Sequence, residues 1–291
     1  MIVAVCSDKG SPGVTTLSMT LGIVWPGDRA VVDADTAGGD TPFRLWTKDR
    51  EHRLAPSPSI AELAAAARLG LSAAGPLPLS QECSLGVPVV PGMLSADRAR
   101  PLRGLWPRLA AQSADWSGTV IADLGRLQPG NPAASMAVNA EAVLVVTRVD
   151  LEGLARLRER VAELAATVGD PSRERTPVGV VVTAPPRHRT FAVQQVRQVL
   201  LSIGSPVQVV GWLAQDPAGA QALWDGRWSR RLAGSDLVRS ARTVAESVLA
   251  TWPALLPHGG QADDEGESVV ADAAAAELTR RWGPRAKVPQ T

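Results

Sequence analysis

Tyrosine is absent from this chain of 291 residues, and phenylalanine and cysteine occur only twice each. Together with nine Trp and abundant Ala and Arg, the missing tyrosine reads as a GC-rich coding bias and points to no chemistry. Cys6 and Cys83 are too few and too isolated for a disulfide framework or a CxxC metal site, so a reducing, cytoplasmic setting is expected. His52, His188 and His258 have no His or Cys at ligand spacing, and they read as surface residues rather than zinc ligands. No window approaches the roughly 18 apolar residues of a membrane span. The opening MIVAVCSDKG lacks a basic leader followed by a long apolar stretch, so a soluble protein is expected. Charge of one sign is missing too: 30 Lys+Arg stand against 29 Asp+Glu, which argues against a surface built wholly for nucleic acid and moves the electrostatic question to local patches.

What is present is a core's worth of apolar residues, 45% of the chain, enough for one large domain or two small ones without staples. Short β-branched runs at 2–6, 30–32, 87–90, 119–122, 142–147, 178–183 and 207–213 alternate with helical stretches at 15–24, 60–69, 98–112, 151–168, 191–203 and 236–251. Several of the runs are apolar throughout, as in strands covered on both faces. The alternation predicts an α/β fold: a doubly wound, mostly parallel sheet flanked by helices on both faces. Residues 1–252 read as that domain. From 253 to 291 the composition turns to Pro, Gly and an acidic segment, then to an Ala-rich stretch. This part reads as a linker and low-complexity tail with a possible short helix.

The informative segment is Val3-Ala4-Val5-Cys6-Ser7-Asp8-Lys9-Gly10-Ser11-Pro12-Gly13-Val14-Thr15-Thr16, where a strand runs through a Gly-containing loop into a helix. Such a turn gathers main-chain amides and a helix N-terminus at one point, where a phosphate is stabilised. The Thr15 hydroxyl can complete a Mg²⁺ shell made of few protein oxygens, phosphate oxygens and water.

The order K-G-x-x-G-x-T-T resembles the deviant Walker A loop, KGGxGKTT, of the MinD/ParA family of P-loop ATPases. Later segments extend the likeness. Ala30-Val31-Val32-Asp33-Ala34-Asp35 is similar to the family's switch segment, and Val120-Ile121-Ala122-Asp123 to its Walker B strand. Segments 140–147, 178–183 and 209–217 resemble later family strands in the right order, so the resemblance spans about residues 1 to 250. It implies a P-loop NTPase fold with ATP and Mg²⁺ as cofactors. By the same resemblance Lys9 is the signature lysine that reaches a partner's phosphates, and Asp35 is the water-orienting aspartate. Gly10, Ser11, Gly13, Val14, Thr15 and Thr16 form the phosphate loop, Thr183 and Asp216 stand at adenine-side positions, and Thr15 and Asp123 serve the metal. Two departures matter. Val14 stands where the family has its second lysine, and Pro12 removes one amide donor. A charge-assisted bond of that kind is worth about 1.5–3 kcal/mol, so its loss weakens binding roughly tenfold to a hundredfold.

The resemblance implies an ATP-binding, nucleotide-dependent dimerisation switch in intracellular positioning or partitioning of a chromosome, a division site or a secretion or pilus machinery, with weak or absent hydrolysis. Its partners would be a second copy of the chain and a regulatory or cargo protein. Two alternatives stay open: a non-hydrolysing scaffold acting through protein contacts alone, and a metabolic enzyme of the related P-loop class. The iron–sulfur carrier version of the latter is disfavoured by the lack of a CxxC pair. Arg227, Arg230, Arg231, Arg239 and Arg242 read first as a solvated face, with non-specific DNA as a further candidate partner. A membrane is not expected as a partner.

Overall fold

Residues Ile2–Ser7 are buried along their whole length, which an extended segment achieves only with layers on both faces. This strand, β1, leads by a loop into α1 (Val14–Val24), then β2 (Arg29–Asp33), α2 (Thr41–Arg44) and α3 (Ile60–Leu69). There follow β3 (Gln81–Glu82), β4 (Pro88–Val90), α4 (Ala96–Ala99), α5 (Trp106–Ala114), β5 (Thr119–Arg126), α6 (Ala134–Val138) and β6 (Ala142–Arg148). The last part holds α7 (Leu151–Thr167), β7 (Val178–Ala184), α8 (Arg189–Ser202), β8 (Gln208–Ala214), α9 (Pro217–Trp224), α10 (Arg230–Ala233) and α11 (Asp236–Thr251). The structure, a computed structural model, describes residues 1–8, 12–167 and 176–256.

The strands form one eight-stranded sheet in the order β3-β4-β2-β5-β1-β6-β7-β8, parallel except for β3, which runs antiparallel to β4. This is the doubly wound sheet expected from the alternation. Successive residues of β1 serve opposite layers, as a period of two requires. Ile2, Ala4 and Cys6 pack with α3, α5, α6, α7 and α8, whereas Val3 and Val5 pack with α1 and α11. In α11 the apolar positions Leu237, Val238, Ala241, Val244, Ala245 and Val248 recur at three- and four-residue intervals and are all buried, so helical periodicity fixes which face docks. The α3 start is set by a capping box, in which Ser59 accepts from the Ala61 amide and the Glu62 carboxylate reaches back to the Ser59 amide.

Differences from expectation have local causes. The single helix expected over 98–112 is broken into α4, a 3-10 turn at Arg100–Leu105 and α5. Pro101 and Pro107 lack the amide a continuous helix needs and instead occupy first-turn positions of the pieces that follow. Residues Pro253–Leu255 make a further 3-10 turn whose Leu255 is buried in the α1/α11 layer, so the packed body runs past 252. The remainder of the expected tail, 257–291, lies outside the described residues. Among the described residues no helix is long and apolar enough to cross a membrane.

For function the useful consequence lies at β1. The chain leaves β1 toward β2 on one side, and later leaves β5 toward β6 on the other, so the carboxyl ends of β1, β2 and β5 open onto one crevice where the connections diverge.

Candidate functional site

That crevice is a cavity of about 650 Å³ walled by three segments: the start of α1 (Gly13 to Thr16), the stretch after β2 (Asp33, Asp35 to Asp40) and the end of β5 with its loop (Gly125, Arg126, Gln128 to Asn131). Gly13 precedes α1 with φ at 106°, a backbone conformation that a residue with a Cβ rarely adopts, and its carbonyl accepts the first helical bond from the Leu17 amide at 2.8 Å. Among the described residues no side chain caps α1. Its first amides therefore have no intrahelical partner and face the cavity, which suits an anion.

The loop between Ser7 and α1 is held at both flanks. On one side Arg160 of α7 pairs with Asp8 at 2.8 Å. On the other, the Thr183 hydroxyl, at the end of β7, donates to the Pro12 carbonyl at 2.9 Å. Lys9, Gly10 and Ser11 lie outside the described residues.

Asp33 and Asp35 line the opposite wall, and a third carboxylate, Asp123, is buried behind the lining. Asp33, almost fully buried, accepts from the Thr41 hydroxyl at 2.7 Å, and Asp35 accepts from the Ala37 amide at 2.8 Å. Asp123, also buried, accepts from the Gly125 amide at 3.0 Å through Oδ1, while Oδ2 has no hydrogen-bond partner among the described residues. Burial raises all three. Asp123 is pushed up to about 8 by desolvation and then by the Asp33 charge, against the pull of the Thr15 hydroxyl and the Gly125 amide. Asp33 rises to about 6, mainly by desolvation. Desolvation also raises Asp35, opposed by the Ala37 amide and by the Arg126 guanidinium. A buried acid with an orphaned oxygen is costly unless something pairs with it. A divalent cation fits that need, with the Thr15 hydroxyl beside it. Among the described residues no group of three or more His, Cys, Asp or Glu forms a metal cluster, so such an ion would draw the rest of its shell from phosphate oxygens and water.

The cavity thus brings together Gly13, Val14, Thr15, Thr16 and Asp35, with Asp123 buried behind them. Two expected residues stand apart from its lining. The Thr183 hydroxyl serves the Pro12 carbonyl, and Asp216 is the N-cap of α9, accepting from the Gly219 amide at 2.8 Å and from the Leu237 amide at 3.4 Å. Val14 is buried, 6% exposed, and belongs to the α1/α11 core. Cavity residues that sequence reasoning missed are Arg126 and the pair Thr36 and Asn131, whose side chains meet at 3.2 Å and tie the β2 and β5 loops together. Only the position of Arg126 three residues after Asp123 could have signalled it. Of the arginines near α10 and α11, Arg239 pairs with Asp236 at 2.5 Å, and Arg227, Arg230 and Arg231 are exposed. The Cys6 thiol is pushed up to about 12 by burial, chiefly desolvation, which removes it as a nucleophile.

No family model matches the chain, and no curated protein matches it in sequence. Solved structures do match in shape. A ParA family ATPase from Chlorobium tepidum superposes with a TM-score of 0.64 at 16% identity, over 84% of this chain and 98% of its own. The septum site-determining protein MinD from Pyrococcus horikoshii, complexed with Mg-ADP, gives 0.62 at 15% identity, over 85% and 95%. The MinC:MinD cell division protein complex from Aquifex aeolicus gives 0.59 at 12% identity, over 91% and 99%. At such identities likeness speaks for architecture, and the architecture of this chain is that of the MinD/ParA-like P-loop ATPases.

Proposed function

We propose that this chain binds ATP with Mg²⁺ in the crevice at the ends of β1, β2 and β5, and that nucleotide occupancy controls its association with a second copy and with a regulatory or cargo protein. The observation that carries this reading is a helix N-terminus on the cavity that, among the described residues, no side chain caps, together with a carboxylate buried behind the cavity lining, one oxygen of which has no partner among the described residues. The first binds anions and the second calls for a cation, and a metal-bound polyphosphate satisfies both. The likeness to a MinD structure holding Mg-ADP supports it.

In this reading Thr15 and Asp123 hold the ion, which when bound neutralises phosphate charge. The amides of Gly10, Ser11, Gly13 and Val14 and the side of Thr16 cradle the phosphates, and Asp35 orients water near the terminal one. Lys9 reaches the partner's nucleotide, which makes dimerisation and occupancy depend on each other. Hydrolysis is weak or absent, because phosphoryl transfer rests on cations placed around the transferring group, and an aliphatic residue, Val14, stands where one is needed. The cellular role is positioning or partitioning of a cargo, such as a chromosome, a division site or a secretion or pilus machinery, with non-specific DNA as one surface the exposed arginines can hold. The burial of Val14 in the core favours a second reading, a scaffold on the same fold that never binds nucleotide.

Sedimentation of the full chain with and without ATP and Mg²⁺ separates the two. The switch requires a monomer that becomes a dimer on adding both, and a Lys9→Ala variant that binds nucleotide but stays monomeric. Identical sedimentation in all conditions leaves the scaffold.

A further inference from the structure

Two arginines line the cavity, Arg44 and Arg126. They are in different situations. Arg44 is engaged twice, in an ion pair with Asp40 at 3.0 Å and against the face of Trp224 at 5.3 Å. Arg126 has an exposed side chain, and among the described residues it forms no ion pair. Its charge acts on Asp35, another residue of the cavity lining. Its backbone, in contrast, is tightly fixed. Arg126 pairs with Ser7 across β1 and β5, the next amide, Leu127, donates to the Ser7 carbonyl at 2.9 Å, and the Asn131 side-chain amide donates to the Arg126 carbonyl at 3.0 Å. The ladder between the strands shifts register at this point, and Gly125 just before it has φ at 55°. A bulge of this kind re-aims the side chain that follows it. Arg126 is therefore a cation on a rigid base, lining a cavity in which Val14 stands where a lysine is expected.

We infer that Arg126 supplies in cis the phosphate-binding charge that Val14 cannot, by forked N–H contacts to the terminal phosphates of the nucleotide. This rests on the nucleotide reading above and names the residue that makes it work with this loop. Chemistry favours the exchange. A guanidinium matches two phosphate oxygens at once and stays charged at any pH of interest. While the cavity is without nucleotide, Asp35 is its neighbour, and a polyphosphate carrying more charge than one carboxylate competes for it. Arg126 thereby links nucleotide binding to release of Asp35 on the switch segment.

The test measures Mg-ATP affinity by calorimetry on the full chain, with melting temperature recorded in parallel. The wild type binds, Arg126→Ala weakens binding about tenfold to a hundredfold, and Arg126→Lys recovers part of the loss. Val14→Lys restores affinity in the Arg126→Ala background by a larger factor than it adds to the wild type, because the two cations do one job and their effects are not additive. Should Arg126→Ala melt lower, Arg126→Lys against Arg126→Gln carries the comparison, and equal affinity in that pair overturns the inference. Wild-type affinity in Arg126→Ala overturns it too, while the nucleotide reading stands. A wild type that takes up no Mg-ATP ends both.

Discussion

Replacing Asp123 by Asn is expected to make the nucleotide-free protein more stable at pH 8 and to abolish its response to Mg²⁺ and ATP. The reasoning starts from the two buried acids. In the unfolded chain both titrate near 3.8, whereas in the fold Asp33 titrates at about 6 and Asp123 at about 8. From about pH 4 upward the native state therefore holds more protons than the unfolded chain, and unfolding free energy falls as pH rises. The contribution is complete below the unfolded value, shrinks from there as pH rises, and is gone above about 6 for Asp33 and above about 8 for Asp123. Each tenfold change in proton affinity corresponds to about 1.4 kcal/mol, so the Asp123 charge costs on the order of 2–4 kcal/mol at pH 8. Asparagine keeps the acceptor for the Gly125 amide and removes the charge. For a domain of this size the gain amounts to roughly 5 °C or more in Tm at pH 8, and to little at pH 5, where Asp123 is already protonated. In the wild type, Mg-ATP raises Tm more at pH 8 than at pH 6, because the ion must displace a proton from Asp123. Thermal melts of both proteins across pH 5 to 9, with and without Mg-ATP, check this. A variant that melts lower than wild type at pH 8 shows that Asp123 is not a burdened charge.

The strands and the start of α1 soon after β1 were legible because they depend on local pattern. Runs such as Val178 to Ala184 are buried at every position, and a strand covered on both faces leaves no other reading. The helix over 236–251 was legible because its stripe and its Ser235 cap agree. What escaped depends on contacts between segments distant in sequence. Gln81–Glu82 carries no apolar signal, and it becomes a strand only because β4 offers an edge to pair with. Asp33 and Arg126 look like ordinary charged residues at strand ends. One becomes a buried acid because Thr41 and the β2 loop close over it, and the other enters the cavity because β5 shifts register against β1. Asp216 and Thr183 show the opposite case. Their positions in the resemblance point to a ligand, while in the fold their polar groups serve the α9 cap and the Pro12 carbonyl.

Gly125→Ala is expected to cost more than any exposed substitution in the site, because two separate constraints meet at that residue. Its φ of 55° lies in the left-handed region, where a Cβ costs about 1 kcal/mol or more. A Cβ there would also stand 2.0 Å from Oδ2 of Asp35, a contact no side chain tolerates. Asp35 cannot swing away freely, since its Oδ1 anchors the turn through the Ala37 amide, and that turn carries Thr36 to its bond with Asn131. Relief must come from moving the segment after β2 away from β5, which widens the cavity and separates Asp35 from Arg126. The expected loss is roughly 3 kcal/mol, read as a lower midpoint in urea with an unchanged slope, and nucleotide response falls with it. The neighbouring Gly130→Ala is the control. It also has a positive φ, of 77°, but a Cβ on it meets nothing within 4 Å, so it should cost only the backbone share of about 1 kcal/mol. Equal losses at the two glycines would mean that the approach of Asp35 to β5 contributes nothing. A larger loss at Gly125 ties the geometry of the carboxylate wall to the one backbone position between Asp123 and Arg126 that can admit it.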